Sequence, residues 1–272
     1  MLKQRILTAI ILIPIFVLLV FKLPPIGFAF LTGAVVLWGA WEWSAFIGVT
    51  KFPQSIIYPI IVLVALFFAT FFLNIPTVVK VAAGWWVFAL LLVVLYPVLS
   101  LGWGRGKIIR GLMGFFVLIP CWLAVNYIRN VDGAGISMLL FLFIIIWGAD
   151  SGAYFAGKWF GKHKLAPSVS PGKTWEGLFG ALLTTVVITV LALWLTDSPS
   201  NLWLGGIIVS IVTVLFSILG DLFESMLKRQ EGLKDSGHLL PGHGGILDRI
   251  DSLTAAAPIF VVGAELLQKF SQ

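Results

Sequence analysis

Hydrophobic residues run along this chain in long blocks, which short segments rich in proline, glycine and charge interrupt. A helix that crosses the apolar part of a bilayer needs about 20 such residues. At that length the pattern predicts about nine spanning helices, at approximately 5–22, 27–47, 55–73, 79–99, 111–128, 136–160, 174–195, 202–228 and 252–270. We therefore expect an all-α polytopic integral membrane protein.

Carboxylates are distributed unevenly along the 272 residues. Residues 1–131 contain one, Glu42, and the other eleven lie between Asp132 and Glu265. The sequence shows no internal repeat and no matching pair of interrupted helices, which transporters built from inverted repeats usually have. We therefore expect two regions, a transmembrane scaffold of about five helices at 1–131 and a catalytic region of about four helices at 132–272, with cytoplasmic loops 158–173 and 228–251.

Composition and charge support a membrane protein and give its orientation. The chain is 60% hydrophobic and 11% charged, whereas soluble domains carry about 25% charged residues. In a soluble protein the net charge of +6 would favour nucleic acid, but here positive charge marks the cytoplasmic side. With a cytoplasmic N-terminus, fourteen of the eighteen lysines and arginines lie on that side. We expect this orientation, a first segment retained as a span, and no nucleic-acid partner.

Several carboxylates stand where a membrane protein tolerates them poorly. Asp150 follows an unbroken apolar run, and Asp221 and Glu224 lie at the end of another. An acid at the centre of a spanning helix costs roughly 2.5–3.5 kcal/mol on insertion scales. Such residues need compensation by a cation, by lysine or arginine, or by a wet cavity.

The spacing of the acids suits a hard cation. Asp221 and Glu224 are three residues apart, as are Asp248 and Asp251, so each pair shares a helix face. Oxygen ligands favour Mg²⁺, or Mn²⁺, over Zn²⁺. The alternative is that these acids form structural ion pairs with lysines and arginines of the same region, namely Lys228, Arg229 and Arg249.

The first polar loop contains Gly172-Lys173-Thr174, which invites comparison with a phosphate-binding P-loop. That motif requires glycine at the position of Pro167, and no strand is expected before it, so the P-loop is excluded. Ser170, Lys173 and Thr174 still cluster at the expected start of a helix, where backbone N–H groups favour anions. A basic loop with a Pro-Gly turn is the plainer interpretation.

The second polar loop combines cations with glycine. Lys228, Arg229 and Lys234 supply positive charge, and the segment 242–245 contains three glycines, of which Gly244 and Gly245 are adjacent. Glycine backbone together with lysine and arginine is what phosphates require. His243 is able to exchange a proton near neutral pH, or serves as a turn residue. Acids for a cation and cations for phosphates at membrane level favour phosphoryl or nucleotidyl transfer to a lipid.

The segment Ser225–Asp251 reads S-M-L-K-R-Q-E-G-L-K-D-S-G-H-L-L-P-G-H-G-G-I-L-D-R-I-D. It resembles the signature of the phosphatidate cytidylyltransferases, also called CDP-diacylglycerol synthases, and every fixed position of that signature is present. The upstream stretches W-G-A-D-S-G-A-Y and S-P-G-K-T-W-E-G also resemble the family. The resemblance covers the C-terminal half by motif and the N-terminal half by architecture.

The resemblance implies a reaction and a setting. CTP and phosphatidate give CDP-diacylglycerol and pyrophosphate in phospholipid biosynthesis, with Mg²⁺ required and a second, monovalent cation as an option. The resemblance also implies a homodimer in a bacterial-type cytoplasmic membrane, with a polar cavity open to the cytoplasm.

The expected roles follow from these residues taken together. The catalytic set comprises Asp221, Asp248, Asp251, Lys228, Arg229 and His243. The metal set comprises the acids Asp221, Asp248 and Asp251, with Asp150 and Glu224 as secondary candidates. The substrate-binding set comprises Ser170, Lys173, Thr174, Lys228, Arg229, Lys234, Gly244, Gly245 and Arg249.

Two other functions remain as alternatives, and a third is disfavoured by its motif. A CTP-dependent polyprenol or dolichol kinase uses the same nucleotide and a lipid acceptor. An ion-coupled transporter would line a path through both membrane faces with polar residues, whereas here they cluster toward one side. CDP-alcohol phosphotransferases space their aspartates by four residues, whereas Asp248 and Asp251 are three apart.

Overall fold

The computed structural model describes residues 14–99, 106–237, 239 and 244–270. Nine long helices occur in these ranges: α1 (14–22), α2 (Pro25–Phe46), α3 (Ile57–Phe72), α4 (Ile75–Leu99), α5 (Lys107–Arg129), α6 (Gly135–Phe160), α7 (Trp175–Leu195), α8 (Trp203–Gln230) and α9 (Leu247–Phe270). Short 3₁₀ turns at Gln54–Ile56 and Ser200–Leu202 precede α3 and α8. A hairpin of strands β1 (Lys164–Ala166) and β2 (Ser170–Thr174) joins α6 to α7.

The predicted all-α membrane architecture is confirmed. Eight of the described helices, α2 to α9, are long and apolar enough to cross a membrane. Each begins and ends within a few residues of a predicted span, except that α9 begins at Leu247 rather than 252. The earlier start places Asp248 and Asp251 within the first two turns of α9, where their side chains share a face.

The prediction for the segment 158–173 was wrong in one respect. Ser170 and Lys173 lie on β2 and not in the first turn of a helix. Only Thr174 stands at the helix boundary, where its hydroxyl oxygen accepts a hydrogen bond from the backbone N–H of Gly177. This N-cap satisfies one of the free N–H groups at the start of α7. The strand therefore holds Lys173 beside α8, and its backbone is paired with β1 instead of facing an anion.

Helices from both predicted regions pack into common cores. One cluster joins α2, α3, α4 and α5 to α8 through residues such as Trp43, Trp86 and Phe223. A second joins α1 and α5 to α6 and α9. Side chains from both sides of residue 131 are interleaved in each cluster. The division of the chain at that residue stays a prediction.

Glycines let the C-terminal helices approach closely. Gly152 on α6 faces Gly180 on α7, and a Cβ on Gly152 would stand 2.7 Å from the Gly180 carbonyl oxygen. Gly220 on α8 faces α9, where a Cβ would stand 2.4 Å from the carbonyl oxygen of Asp251. Small residues at such contacts are typical of membrane helix pairs. The second contact brings the backbone of Asp251 beside the residue that precedes Asp221.

Candidate active site

A polar cavity of about 350 Å³ lies between α6, the hairpin, α7 and α8. Four charged side chains line it, the acids Asp150 and Asp221 and the lysines Lys158 and Lys173. The remaining lining is largely small or apolar, including Ala149, Gly157 and Leu178. Four of the residues expected to act on substrate or metal, Asp150, Lys173, Thr174 and Asp221, are therefore brought to one cavity.

An ion pair spans this polar cavity from the hairpin to α8. The Nζ of Lys173 lies 2.7 Å from Oδ2 of Asp221, and both side chains are partly exposed, at 25% and 33%. The same ammonium group lies 3.5 Å from the carbonyl oxygen of Ile218. Because both residues are partly exposed and line the cavity, their charged groups can be reached by ligands that enter it.

One face of α6 supplies two further polar groups that the sequence analysis did not select. Asp150, Tyr154 and Lys158 are spaced by four residues, and all three line the polar cavity. The ammonium of Lys158 lies 5.7 Å from the centre of the Tyr154 ring, in cation–π range. The i, i+4, i+8 spacing that follows Asp150 was the signal that would have identified Lys158.

A second group of charges lies between α8 and α9, deeper in the protein. Lys228 donates to Oδ1 of Asp248 at 2.6 Å, and its Nζ lies 3.1 Å from Oε1 of Glu224. The contact with Glu224 has the distance of an ion pair without the geometry of a hydrogen bond. Both carboxylate oxygens of Glu224 are buried and accept no hydrogen bond. The predicted alternative of structural ion pairs therefore holds for Lys228 with Glu224 and Asp248.

Asp248 and Glu42 together hold Ser236 and the residues Gly245–Leu247. Oδ2 of Asp248 accepts from the backbone N–H groups of Ser236 and Gly245, both at 2.9 Å, and from the Ser236 hydroxyl at 3.0 Å. Glu42 reaches in from α2, and its Oε1 and Oε2 accept from the backbone N–H groups of Ile246 and Leu247, which begin α9. We call Glu42, Ser236 and Asp248 the loop anchor, because their contacts join the described residue Ser236 to Gly245 and the start of α9.

Glu42 is a residue that the sequence analysis missed. Glu42 is 4% exposed, and its Oε2 lies 2.8 Å from the Ser236 hydroxyl oxygen, whose single hydrogen is shared between Glu42 and Asp248. Its signal was present in the sequence, since it is the only acid among residues 1–131 and stands in an apolar helix. The cost of burying an acid, applied above to Asp150, applies equally to Glu42.

The glycines expected to approach phosphate lie against these carboxylates. A Cβ on Gly244, whose φ is +80°, would stand 2.6 Å from Oδ2 of Asp248. A Cβ on Gly245 would stand 2.3 Å from Oε2 of Glu42. A side chain at either position would therefore displace the loop anchor. Their binding of substrate stays a prediction.

The acids of the expected metal set are neighbours without forming a closed site. Asp251 is half-buried, and its carboxylate is close enough to those of Asp221 and Glu224 for the negative charges to interact. Among the described residues, no three acidic, histidine or cysteine side chains converge on one point. The donors fit a hard cation in chemistry, since all are carboxylates and the buried oxygens of Glu224 accept no hydrogen bond. In this arrangement Lys173 and Lys228 supply the positive charge between them.

The remaining expected residues lie around these two groups. Arg229 is exposed and donates to the carbonyl oxygens of Val169 and Leu233, which ties α8 to the tip of the hairpin. Arg249 is exposed and lies within Coulombic range of Asp150. Lys234 is exposed, and Ser170 is half-buried at the start of β2. His243 lies outside the described residues.

The fold and cavity define a class of protein. Apolar helices surround a cavity with two lysines and two carboxylates, which suits a membrane enzyme that binds phosphate groups. A profile of the cytidylyltransferase family matches residues 3–267. The chain belongs to the cytidylyltransferase family and is a nucleotidyltransferase, as the signature at Ser225–Asp251 predicted.

Similar proteins from bacteria carry a common name. The chain is 41% identical to the phosphatidate cytidylyltransferase of Haemophilus influenzae, over 96% of this chain and 97% of the relative. It is 45% identical to the phosphatidate cytidylyltransferase of Pseudomonas aeruginosa, over 96% of each chain. A Staphylococcus epidermidis phosphatidate cytidylyltransferase is 46% identical over 49% of this chain and 51% of its own length.

Proposed function

We propose that this chain transfers the cytidylyl group of CTP to phosphatidate, forming CDP-diacylglycerol and pyrophosphate. The observation that carries this proposal is the polar cavity, where Lys158 and Lys173 face Asp150 and Asp221 among spanning helices. The names of the two near-full-length relatives agree with the activity predicted from the sequence. The substrates would be one soluble triphosphate and one lipid phosphate, and both require cations at the membrane surface.

The reaction needs positioning and charge neutralisation rather than a strong base. A phosphate oxygen of phosphatidate attacks the α-phosphorus of CTP and forms a new P–O bond. The bond from the α-phosphorus to the oxygen that bridges the α- and β-phosphates breaks, and pyrophosphate leaves with that oxygen. The attacking oxygen is already anionic near neutral pH, so no proton has to be removed from it. Lys173 and Lys158 bind phosphate oxygens in the cavity, and Lys173 exchanges its contact with Asp221 for one with phosphate.

The acids would hold Mg²⁺, with Mn²⁺ as an alternative. Asp221 and Asp251 are the ligands that the arrangement favours, with Asp150 on the facing helix. Glu224 would have to release Lys228 to join them. Bound Mg²⁺ neutralises charge on the phosphates during transfer. Asp248 orders the loop in this structure, because its oxygens accept from Lys228, Ser236 and Gly245, and it would have to release Lys228 to join the metal. A second, monovalent cation remains part of the proposal.

The activity is tested with the purified chain in detergent. We expect pyrophosphate release that requires CTP, phosphatidate and Mg²⁺ together, with incorporation of labelled cytidine into lipid. Diacylglycerol in place of phosphatidate is the matched control, since it lacks the attacking phosphate. Transfer of phosphate from CTP to a polyprenol, without reaction on phosphatidate, would contradict the proposal in favour of a lipid kinase.

The metal ligands are separated by comparing Asp251→Asn and Asp248→Asn. We expect Asp251→Asn to raise the Mg²⁺ concentration needed for half-maximal activity and to reduce Mg²⁺-dependent protection against thermal unfolding. Asp248→Asn should lower stability at every Mg²⁺ concentration and leave the Mg²⁺ requirement unchanged. Asp197→Asn, at an exposed loop position, serves as control. Equal Mg²⁺ requirements in wild type and Asp251→Asn would remove Asp251 from the metal site.

We further propose that the cavity faces the cytoplasm and that the enzyme is a homodimer. Cys121 is the one cysteine of the chain and is buried, so a cysteine introduced at the exposed hairpin residue Lys164 would be the accessible thiol. A membrane-impermeant maleimide should label it in inverted vesicles and not in intact cells. Light scattering of the detergent complex measures the mass of the assembly, and a monomer would contradict the dimer.

A further inference from the structure

An apolar groove of about 440 Å³ lies beside the polar cavity, between α4, the hairpin and α8. Three residues, Leu165, Leu178 and Ile218, line both the groove and the polar cavity. The two spaces are therefore separated by one layer of side chains. The groove has the volume of an ordinary ligand site, and nothing in the reaction described so far uses it.

The groove has a buried floor and an exposed rim. Val93, Val169 and Leu219 on the floor are 7%, 1% and 5% exposed. Val94 and Leu215 on the rim are exposed. They lie on α4 and α8, which are both long and apolar enough to span the membrane. An apolar groove that opens between spanning helices faces lipid, so acyl chains reach it directly.

The layer of side chains shared by the two spaces separates the charged polar cavity from the uncharged groove. The carbonyl oxygen of Ile218 lies 3.5 Å from the ammonium of Lys173, which belongs to the polar cavity. The side chain of Ile218 lines the apolar groove as well. A single ligand that contacts both sides must therefore carry an anionic group next to a hydrocarbon chain.

The length of the groove also suits a hydrocarbon chain. On α4 its lining extends from Leu90 to Pro97, and on α8 from Leu215 to Leu222. Seven residues of helix correspond to about 10 Å. The groove thus follows α4 and α8 for about two turns of each helix, a length that suits an extended chain.

We propose that this groove binds one acyl chain of phosphatidate while the lipid phosphate lies in the polar cavity beside Lys173. The assignment rests on the proposed function, because it takes phosphatidate as the ligand of the polar cavity. It makes residues of α4 and α8 determinants of acyl-chain selection. It also places the hairpin between the two parts of one substrate.

The test fills the groove from two helices without touching the charged residues. Leu215→Trp on α8 and Val94→Trp on α4 replace exposed rim residues, so folding should tolerate them. For each variant we expect KM for dioleoyl phosphatidate to rise about tenfold, as if roughly two methylene groups were left exposed. KM for CTP and the rate with dihexanoyl phosphatidate should stay within twofold of wild type.

Ile208→Trp is the matched control, because Ile208 is exposed on α8 one heptad before Leu215 and lies outside the groove. It should leave both lipids unaffected. Equal losses with long and short chains, or the same loss in the control, would overturn the assignment. A groove-filled variant that loses both lipids and runs as a smaller assembly would show an interface between subunits instead.

A binding measurement separates this assignment from the proposed reaction. A phosphatidate with a photoactivatable group in its acyl chain should label α4 and α8 peptides that line the groove, and unlabelled phosphatidate should compete. Labelling without cytidylyl transfer by the wild type would support the groove and contradict the proposed function. Transfer with labels elsewhere, on peptides away from the groove, would support the function and contradict the groove.

Discussion

Two acid–lysine groups of this chain have almost the same contact distance and very different surroundings. Lys173 and Asp221 are 2.7 Å apart in the polar cavity, with side chains 25% and 33% exposed. Lys228 and Asp248 are 2.6 Å apart between α8 and α9, with side chains 9% and 7% exposed. Asp248 also accepts hydrogen bonds from Ser236 and Gly245, whereas Asp221 accepts a further one from Ser225 at 3.2 Å.

The comparison indicates that an aspartate–lysine pair has a different role when it is buried than when it is partly exposed. A partly exposed ion pair contributes little net free energy, so Lys173 is able to leave Asp221 for a phosphate at small cost. A buried pair leaves an uncompensated charge when one partner is lost, so Lys228 is costly to remove. We therefore assign substrate exchange to the first group and the order of the signature loop to the second.

The largest effect should follow from Lys228→Met. This change leaves Glu224 and Asp248 buried without their cation, and we expect the free energy of unfolding to fall by about 3–5 kcal/mol. Thermal unfolding in detergent measures it. Lys80→Met is the matched control, because Lys80 forms a mostly exposed pair with Glu265 at 3.5 Å. Equal destabilisation by the two variants would contradict the structural role of Lys228.

Asp221→Asn should produce the opposite pattern, a large loss of activity with little loss of stability. We expect kcat to fall by about 10²–10³-fold, the size observed when one group that stabilises transition-state charge is removed. Because the pair with Lys173 is partly exposed, unfolding should shift by less than about 1 kcal/mol. Steady-state kinetics and thermal unfolding of the same preparation check both halves. A folded variant with near-normal turnover would exclude Asp221 from the reaction.

Glu42→Gln sharpens the comparison from the N-terminal half of the chain. An amide retains one acceptor oxygen where the carboxylate had two, so part of the loop anchor is lost at a cost of about 1–3 kcal/mol. We expect lower thermal stability and faster tryptic cleavage after the exposed Lys234, with a larger effect for Glu42→Ala. Glu265→Gln is the control acid. Unchanged cleavage in both Glu42 variants would show that the loop is held by other contacts.

The smallest effect is expected at the polar cavity's second lysine. Lys158→Gln removes one cation from α6, and we expect KM for one substrate to rise about three- to tenfold with kcat unchanged, as for the loss of one typical hydrogen bond. Lys162→Gln is the control, because Lys162 is exposed nearby and does not line the cavity. Identical KM values in both variants and wild type would remove Lys158 from substrate binding.

Much of the fold was readable from sequence because the bilayer imposes a length on each helix. Runs of about 20 apolar residues predicted the eight described spanning helices within a few residues, apart from the start of α9 at Leu247. Residues 5–13 of the first predicted span lie outside the described residues. The hairpin was not predicted, since its strands are three and five residues long and lack an alternating pattern. Antiparallel pairing of β1 with β2 determines the structure of that segment.

The acids of the site could be predicted from the free-energy cost of placing a carboxylate in an apolar helix. Their cationic partners could not be predicted in the same way. Asp150, Asp221 and Glu224 stood out because an acid in an apolar helix must be compensated. The sequence offered Lys228, Arg229 and Arg249 as partners without distinguishing them from a metal. The i, i+4 spacing on α8 places Lys228 beside Glu224, and the packing of α8 against α9 adds Asp248 as its second partner.

The membrane class, the helices and the family signature could be predicted from the chain alone, because they depend on composition and on residues that are close along the chain. The tertiary structure was needed to assign a purpose to each acid. It brought Glu42 to the start of α9 across more than 200 residues, and it placed Lys173 beside Asp221 through a hairpin. The physical reason is burial, since equal contact distances have different energies and different chemistry in dry and wet surroundings.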